Sequence, residues 1–444
     1  MNNLSLLKNF PSRFIFGTAT SSYQIEGNKY GGCGKSIWDD FARKKLNGID
    51  GLNACNHYEY FEEDIKLIKD LGFNAYRFSF SWPRLFPENN NDINMDGVDF
   101  YKRLLDKILE SDLEPFPTLY HWDLPVRFSK IEGWENKDTC KRFAEFSYFV
   151  SQQYGDLFKK IATINEPWCV SWLSHYLGEH APGKQNLKSA VSTMHNILLA
   201  HGLSVEALKS NNSHEIGIVL NNQYGEPLDQ KEENLNATKL FDSIHNRWFS
   251  DAIFKGTYPE LALSVLGDYL PKNYDNDLIV ISHPLKWIGL NYYTRSIIKY
   301  HESEDGINYK TLRGSLKKTD MDWEYFPEGL SYFIKRINKE YNDKIPIYIT
   351  ENGMANDDKL NSKEEVDDDD RIEFFDLHLK EILKCLREGL TVKLYFAWSL
   401  LYNYEWAFGY TKRFGLVYVD FDNFNRIPKK SYYEFSKYLI KIKI

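Results

Sequence analysis

Thr163-Ile164-Asn165-Glu166-Pro167-Trp168 is the stretch from which the fold can be read. The run that leads into it, Lys160-Ile161-Ala162-Thr163-Ile164, has the composition of a buried strand. Proline cannot donate to a central ladder, so that strand has to end by Pro167. Glu166 then stands at a strand's carboxyl end, where barrels and open α/β sheets carry their chemistry. A second stretch, Ile345-Pro346-Ile347-Tyr348-Ile349-Thr350-Glu351-Asn352-Gly353, has the same design, with Asn-Gly as a turn signal. Two glutamates at two strand ends suggest a carboxylate pair. Each alone also reads as a solvated loop residue or as half of a structural ion pair.

Outward from these stretches, strand-like and helix-like segments alternate along all 444 residues without a low-complexity linker. Strands are expected at Phe14–Ala19, Asn74–Phe80, Pro115–Tyr120, Lys160–Ile164, Glu215–Leu220, Trp287–Leu290, Ile345–Thr350 and Val392–Phe396. Helices are expected at Tyr58–Leu71, Val98–Leu109, Asp138–Tyr154, Leu187–Leu208, Lys231–Phe254, Gly329–Tyr341, Arg371–Arg387 and Tyr432–Ile440. In the first of these, Ile65, Leu67, Ile68 and Leu71 fall at roughly helical spacing, and Gly72 is a stop signal. The acidic run Asp367 to Asp370 suits a helix N-terminus, where negative charge is favourable; a cation site is the alternative.

Eight strand-then-helix units predict an α/β fold with one domain over residues 1–444, a closed (β/α)8 TIM barrel. An open doubly wound sheet is the alternative, but it does not require eight units. Long connections after the first strand, before Asp99, and from Tyr292 to Phe326 are expected as loops on the C-terminal face.

Composition removes other classes. Hydrophobic residues make up 43% of the chain, ample for a large core, and aromatics reach 16%, enough to line a pocket as well. A net charge of -8 argues against nucleic-acid binding. No window approaches the roughly 20 apolar residues of a membrane helix. Met1 to Phe10 has no basic stretch followed by a long apolar core, so no secretory leader is expected. Cys33, Cys55, Cys140, Cys169 and Cys385 are an odd, scattered set, which reads as free thiols in a reducing, cytoplasmic compartment. No Cys-x-x-Cys or His-Glu-x-x-His spacing calls for a metal. Gly34-Lys35-Ser36 ends like a phosphate-binding loop, but Lys29 stands in the place of that motif's first glycine, so a flexible loop is expected.

Polar and aromatic residues gather at the expected strand ends: Gln24, Arg77, His121 and Trp122, Asn165 and Glu166, Asn291 and Tyr293, Glu351, and Trp398. In a barrel these converge on one pocket. The mixture suits a sugar, whose hydroxyls take Gln, Asn, His and Glu partners while its apolar face stacks on an indole. Singly, each has a plainer reading: Trp398 as core, His121 as a satisfied histidine, Arg77 as partner to any buried carboxylate. Two carboxyls can cleave a glycosidic bond when one is protonated and the other ionised. Arg77 is a candidate for holding Glu351 ionised, and Tyr293 for orienting it. Glu166 would keep its proton through burial and the charge of the other glutamate.

These motifs resemble glycoside hydrolase family one, the β-glucosidase family. The resemblance runs from Phe14-Ile15-Phe16-Gly17-Thr18-Ala19-Thr20-Ser21-Ser22-Tyr23-Gln24-Ile25-Glu26-Gly27 to Arg413-Phe414-Gly415-Leu416. Between them lie Tyr76-Arg77-Phe78-Ser79-Phe80-Ser81-Trp82, Leu119-Tyr120-His121-Trp122-Asp123, Thr163 to Pro167, Thr350-Glu351-Asn352-Gly353 and Trp398-Ser399-Leu400-Leu401. It implies a barrel and a retaining mechanism without a cofactor or metal, acting on β-glycosides or short β-linked oligosaccharides. Glu166 looks like the general acid/base and Glu351 like the nucleophile, with Arg77, Tyr293 and Asn165 beside them. The resemblance places Gln24, His121, Asn165, Glu405 and Trp406 around the glycone, over Trp398 as platform. Trp122, Asn291 and Phe414 belong with the substrate-binding set. Trp168, Cys169, His180 and Trp323 look like the leaving-group side. A homo-oligomer is compatible with it.

Two departures bear on specificity. Tyr402-Asn403-Tyr404-Glu405-Trp406 stands where the family commonly has Asp-Asn-Phe-Glu-Trp, and Phe408 where a second glutamate is common. Glucose, galactose and fucose therefore all stay open as glycones. Relatives that cleave 6-phosphorylated glycosides use Ser, Lys and Tyr around the phosphate; here those places hold Glu405, Lys412 and Phe414. A carboxylate at Glu405 would repel phosphate. A non-catalytic sugar-binding barrel is the remaining alternative, opposed by the presence of both glutamates and Arg77.

Overall fold

The computed structural model describes residues 3–89, 92–211, 213–341 and 345–440. At its centre eight parallel strands close into a barrel: β1 (Ile15–Ala19), β2 (Ala75–Ser79), β3 (Glu114–Tyr120), β4 (Lys160–Asn165), β5 (Glu215–Asn221), β6 (Trp287–Asn291), β7 (Ile347–Asn352) and β8 (Val392–Trp398). Each pairs with its neighbours in sequence order, and β8 closes on β1, with Ile15 opposite Leu394 and Ala19 opposite Trp398. Strands covered on both faces read as near-continuous apolar runs, which is why all eight were legible.

The barrel interior is packed at its lower end, which leaves the upper end for the site. Small residues at Ala19, Ala75 and Ala162 make room for Phe116, Trp287, Tyr348 and Phe396. Phe116 meets Phe396 edge-on at 5.1 Å, and Trp287 stacks on Tyr348 at 4.9 Å. A Cβ on Gly217 would lie 2.4 Å from the Trp287 ring, so β5 has no room for a side chain there.

The outer helices fall close to their expected places, among them His57–Leu71, Lys137–Tyr154, Leu187–Asn211 and Asp369–Arg387. The expected continuous helix Lys231–Phe254 is instead Glu232–Asp242 and Trp248–Lys255, joined by a wide π turn at Ser243–Arg247. Inside that turn the Asn246 amide is bonded to the backbone of Gln223 and to Asn222, so the loop after β5 reshapes the helix. The long loops also hold structure that was not foreseen. Tyr224–Pro227, Arg295–Tyr300 and Tyr309–Leu312 form a three-stranded sheet, so the segment from Tyr292 to Phe326 is not plain loop. Val417–Val419 and Arg426–Pro428 form an antiparallel pair.

Asn352-Gly353, expected as a turn, works differently. Asn352 still belongs to β7, and a Cβ on Gly353 would meet the Trp398 carbonyl oxygen at 1.8 Å. Ser36, at the end of the phosphate-loop-like run, caps the helix Ile37–Lys45: Trp38 N donates to its hydroxyl, and its own N–H donates to Asp39. Of the acidic run, Asp369 and Asp370 occupy the first turn of Asp369–Arg387, and Asp368 before them is ion-paired with Arg371. Among the described residues no group of side chains is arranged to hold a metal, no helix is long and apolar enough to cross a membrane, and all five cysteines are free.

Candidate active site

Glu351 is the penultimate residue of β7, and Glu166 follows directly on β4. Both are buried at the carboxyl ends of their strands. Their partners differ in kind. Glu351 Oε1 accepts from Arg77 Nη1 at 2.6 Å, and Oε2 accepts from the Tyr293 hydroxyl at 2.7 Å. The guanidinium is otherwise spent on Asn165 Oδ1 at 2.8 Å, Thr118 Oγ1 at 3.2 Å and Thr350 O at 3.3 Å. Arg77 is 2% exposed, so this charge is desolvated and aimed.

Glu166 meets neutral donors. Oε1 accepts from Asn291 Nδ2 at 2.6 Å, and Oε2 from the Cys169 thiol at 3.1 Å. Thr350 Oγ1 donates to Asn291 Oδ1 at 2.7 Å, which turns the amide's NH2 toward Glu166. Burial, followed by repulsion from Glu351, pushes the Glu166 carboxyl up to about 8. Its backbone is left-handed, φ 49°, as are Trp122 at 78° and Trp406 at 48°. Non-glycine residues keep that conformation only where the surroundings fix it, and such positions cluster at functional sites.

A third carboxyl, Glu405, faces the same space. Its nearest donor is Gln24 Nε2, at 3.4 Å. Gln24 is itself fixed: it accepts from Ser21 Oγ at 2.6 Å and donates to Asn403 Oδ1 at 3.0 Å and Tyr404 O at 2.9 Å. Burial, then Glu351 and Glu166, push Glu405 up to about 8. His121 Nε2 lies 3.1 Å from Asn165 Nδ2, and its ring stacks between Trp398 at 5.7 Å and Trp406 at 6.0 Å. Burial and the Arg77 charge hold His121 well below the ordinary histidine range, so it is neutral. Trp122 donates to Asn165 O at 2.9 Å and packs on Trp406 at 4.6 Å.

The remaining expected residues split into two groups. Tyr293, Trp323 and Phe414 form one aromatic wall, with Trp323 5.3 Å from Tyr293 and Phe414 6.3 Å from both. His180, expected on the leaving-group side, packs instead on Trp122 at 5.1 Å, one of the expected substrate-binding residues, and on Trp38 at 5.2 Å. Trp168 packs instead on His245 at 4.2 Å. Tyr402 departs from the family motif yet is anchored, its hydroxyl donating to Asp358 at 2.7 Å. Phe408 is 46% exposed and turns outward. Lys412 is held by Asp320, through its carbonyl at 2.6 Å and its carboxylate at 3.2 Å.

Some supporting residues carry no signal in the sequence. Trp38 lies 4.7 Å from Trp406 but comes from a short helix in the first long connection. Asn403 and Thr350 could be found only as neighbours of Glu405 and Glu351. The family resemblance points Cys169 to the leaving-group side, and nothing in the sequence signals its bond to Glu166.

The family model described as "Glycosyl hydrolase family 1" matches residues 6–443. A 1,4-beta-D-glucan glucohydrolase of Thermotoga neapolitana is 42% identical over 436 residues, 97% of this chain and 98% of that one. The solved structure of a family 1 b-glucosidase from Thermotoga maritima superposes with a TM-score of 0.94 at 42% identity, covering 98% of each chain. A 6-phospho-beta-galactosidase of Clostridium acetobutylicum is 36% identical over 97% of this chain and 97% of its own length. With a matching barrel, matching length and these identities, the chain belongs to glycosyl hydrolase family 1.

Proposed function

We propose that this chain is a retaining β-glycosidase that hydrolyses terminal non-reducing β-D-glucosyl residues, and β-galactosyl or β-fucosyl residues as well, through a covalent glycosyl-enzyme ester. One observation carries the reading: two buried glutamates at strand ends lie within reach of each other's charge, one gripped by a guanidinium and a phenol, the other by an amide and a thiol. That difference separates the nucleophile from the acid.

In the first step the Glu351 carboxylate bonds to the anomeric carbon as the bond to the leaving oxygen breaks. Glu166 passes its proton to that oxygen, so the aglycone departs as a neutral alcohol. Glu166, now a carboxylate, removes a proton from water. The water oxygen bonds to the anomeric carbon and the ester to Glu351 breaks, which restores both groups. Arg77 and Tyr293 orient Glu351, and Asn165 couples Arg77 to His121. Gln24, His121, Asn165, Glu405 and Trp406 take the glycone hydroxyls over Trp398, with Trp122, Asn291 and Phe414 around them. Trp168, Cys169 and Trp323 face the leaving group, whereas His180 backs Trp122 and Trp406 on the glycone side. No cofactor or metal enters these steps. The whole chain acts as one catalytic unit in the cytoplasm, on short β-linked oligosaccharides such as those released from cellulose.

The 6-phospho reading is weaker. Lys412, its one matching residue, is ion-paired with Asp320, and Glu405 stands where relatives that cleave 6-phosphorylated glycosides have the Ser. The test is nitrophenol release from an aryl β-D-glucoside beside its 6-phospho counterpart, with Glu351→Ala as control. Turnover of the plain glucoside that disappears in the variant is expected; preference for the phosphorylated substrate would overturn the reading.

A further inference from the structure

Glu166 carries one donor on each oxygen, and the two come from different parts of the fold. Asn291 reaches Oε1 from the end of β6. Cys169 reaches Oε2 from the turn that Glu166 itself begins. The left-handed backbone at Glu166 leads into a wide π turn over Cys169–Tyr176, and Cys169 N bonds back to Glu166 O at 3.0 Å. The backbone therefore delivers the thiol to the carboxyl three residues before it. From the end of β5, Asn221 Nδ2 approaches the same sulfur at 3.7 Å. An amide N–H on the sulfur's acceptor side leaves the S–H directed at Glu166.

The surroundings isolate this contact. Glu351, Glu405 and Tyr293 interact electrostatically with Glu166, and Arg77, bound to Glu351, is a cation that bears on it. His175 and His180 line a small cavity together with Cys169, Trp122 and Trp134. Burial holds His180 down to about 3 and His175 to about 4, so both are neutral. Glu351 and Glu179 also bear on the thiol, as negative charges that oppose its ionisation. Burial and the neighbouring Glu166 keep Cys169 well above the ordinary thiol range, so it remains S–H and donates throughout.

We propose that Cys169 is a positioning residue for Glu166: its thiol, oriented by Asn221, fixes the carboxyl's rotamer and tunes how tightly the acid holds its proton. The inference rests on the acid/base role given to Glu166 above. A hydrogen bond to an ionised acceptor is stronger than one to its neutral form. The thiol therefore favours the carboxylate and opposes the effect of burial. Without it Glu166 holds its proton to higher pH.

The experiment uses the full chain and its Cys169→Ala, Cys169→Ser, Asn221→Ala and doubly substituted Cys169→Ala/Asn221→Ala variants. One readout is the pH profile of kcat/KM on an aryl β-D-glucoside. The other is an infrared titration of the Glu166 carboxyl, taken as the difference from Glu166→Gln, which needs no turnover. Cys169→Ala is expected to move the alkaline limb and the titration upward together by about 0.5–1 pH unit. Cys169→Ser keeps a donor and should not follow it upward. Asn221→Ala should shift the limb upward by less, and add nothing once Cys169 is alanine. An unshifted Cys169→Ala titration, or equal upward shifts in Ala and Ser, would overturn the proposal. A Cys169→Ala titration that shifts as expected, beside a wild-type protein without glycosidase activity, would overturn the catalytic reading and leave the thiol contact standing.

Discussion

Arg77 joins the two catalytic candidates: Nη1 lies 2.6 Å from Glu351 Oε1, while Nη2 donates at 2.8 Å to Asn165, the residue just before Glu166. Removing this guanidinium leaves a buried carboxylate without its cation. Arg77→Met should therefore lose about 3–5 kcal/mol of stability, as when one half of a buried ion pair is deleted. It should also lower kcat by at least 10²-fold, since the carboxylate then loses its compensating charge and one of its two orienting bonds. Thermal melts and steady-state kinetics check both. A variant of near-normal Tm and kcat would show that Tyr293 alone suffices.

Tyr293 holds the other oxygen of Glu351, at 2.7 Å. Tyr293→Phe deletes that donor and little volume. A hydrogen bond to a charged group contributes about 1.5–3 kcal/mol, so kcat should fall roughly 10–10²-fold with the fold intact. Circular dichroism beside kinetics separates this outcome from unfolding.

Glu166→Gln should discriminate between leaving groups. Positioned acid catalysis contributes about 10²–10⁴-fold, and a dinitrophenolate needs no proton to depart. The variant should release dinitrophenol from its β-glucoside with a small loss in the first step, and alkyl β-glucosides hardly at all. Azide, which needs no general base, should then accelerate the second step. Equal losses across leaving groups would remove Glu166 from the acid role.

Much of this was legible because barrel chemistry sits at strand ends and the strands announce themselves as apolar runs. Arg77, Glu166, Tyr293 and Glu351 could each be placed from a strand and the residues that follow it. Glu405 lies beyond the end of β8, on a stretch without periodicity, so only the family motif pointed to it. Trp38 was out of reach, since the order of a long connection says nothing about which tryptophan it will meet. The split of the helix after β5 was hidden for a related reason. Asn246 satisfies groups in a distant loop, and such bonds leave no trace in local spacing. The role of Gly353 is hidden for another reason: Asn-Gly is a turn signal by statistics, whereas here contact with β8 requires the glycine.

That contact gives a structural prediction. A methyl group on Gly353 would lie 1.8 Å from the Trp398 carbonyl oxygen, an atom of the backbone that cannot rotate away. Gly353→Ala must separate β7 from the end of β8, at a cost of about 1–3 kcal/mol or more. Trp398, the expected glycone platform, moves with it. The variant should melt earlier and show a higher KM for glucosides, whereas Gly389→Ala, which has open space around it, should change KM little. Matching KM values for the two variants would separate Gly353 from the platform.

The two high-lying carboxyls predict how stability varies with pH. Glu166 and Glu405 are each pushed up to about 8 in the folded protein, whereas a glutamate in the unfolded chain titrates near about 4.3. Between those values the folded state binds more protons than the unfolded one. Stability therefore falls as pH rises through that window, the opposite of a salt-bridged carboxylate. Glu405→Gln removes one of the two groups and relieves the repulsion that Glu166 exerts on it. The variant should lose less Tm than wild type between about pH 5 and about pH 9, and should be the more stable of the two at the alkaline end. Parallel Tm profiles would mean that Glu405 is already ionised at neutral pH, and with that the charge repulsion argued against phosphorylated substrates would be present in full.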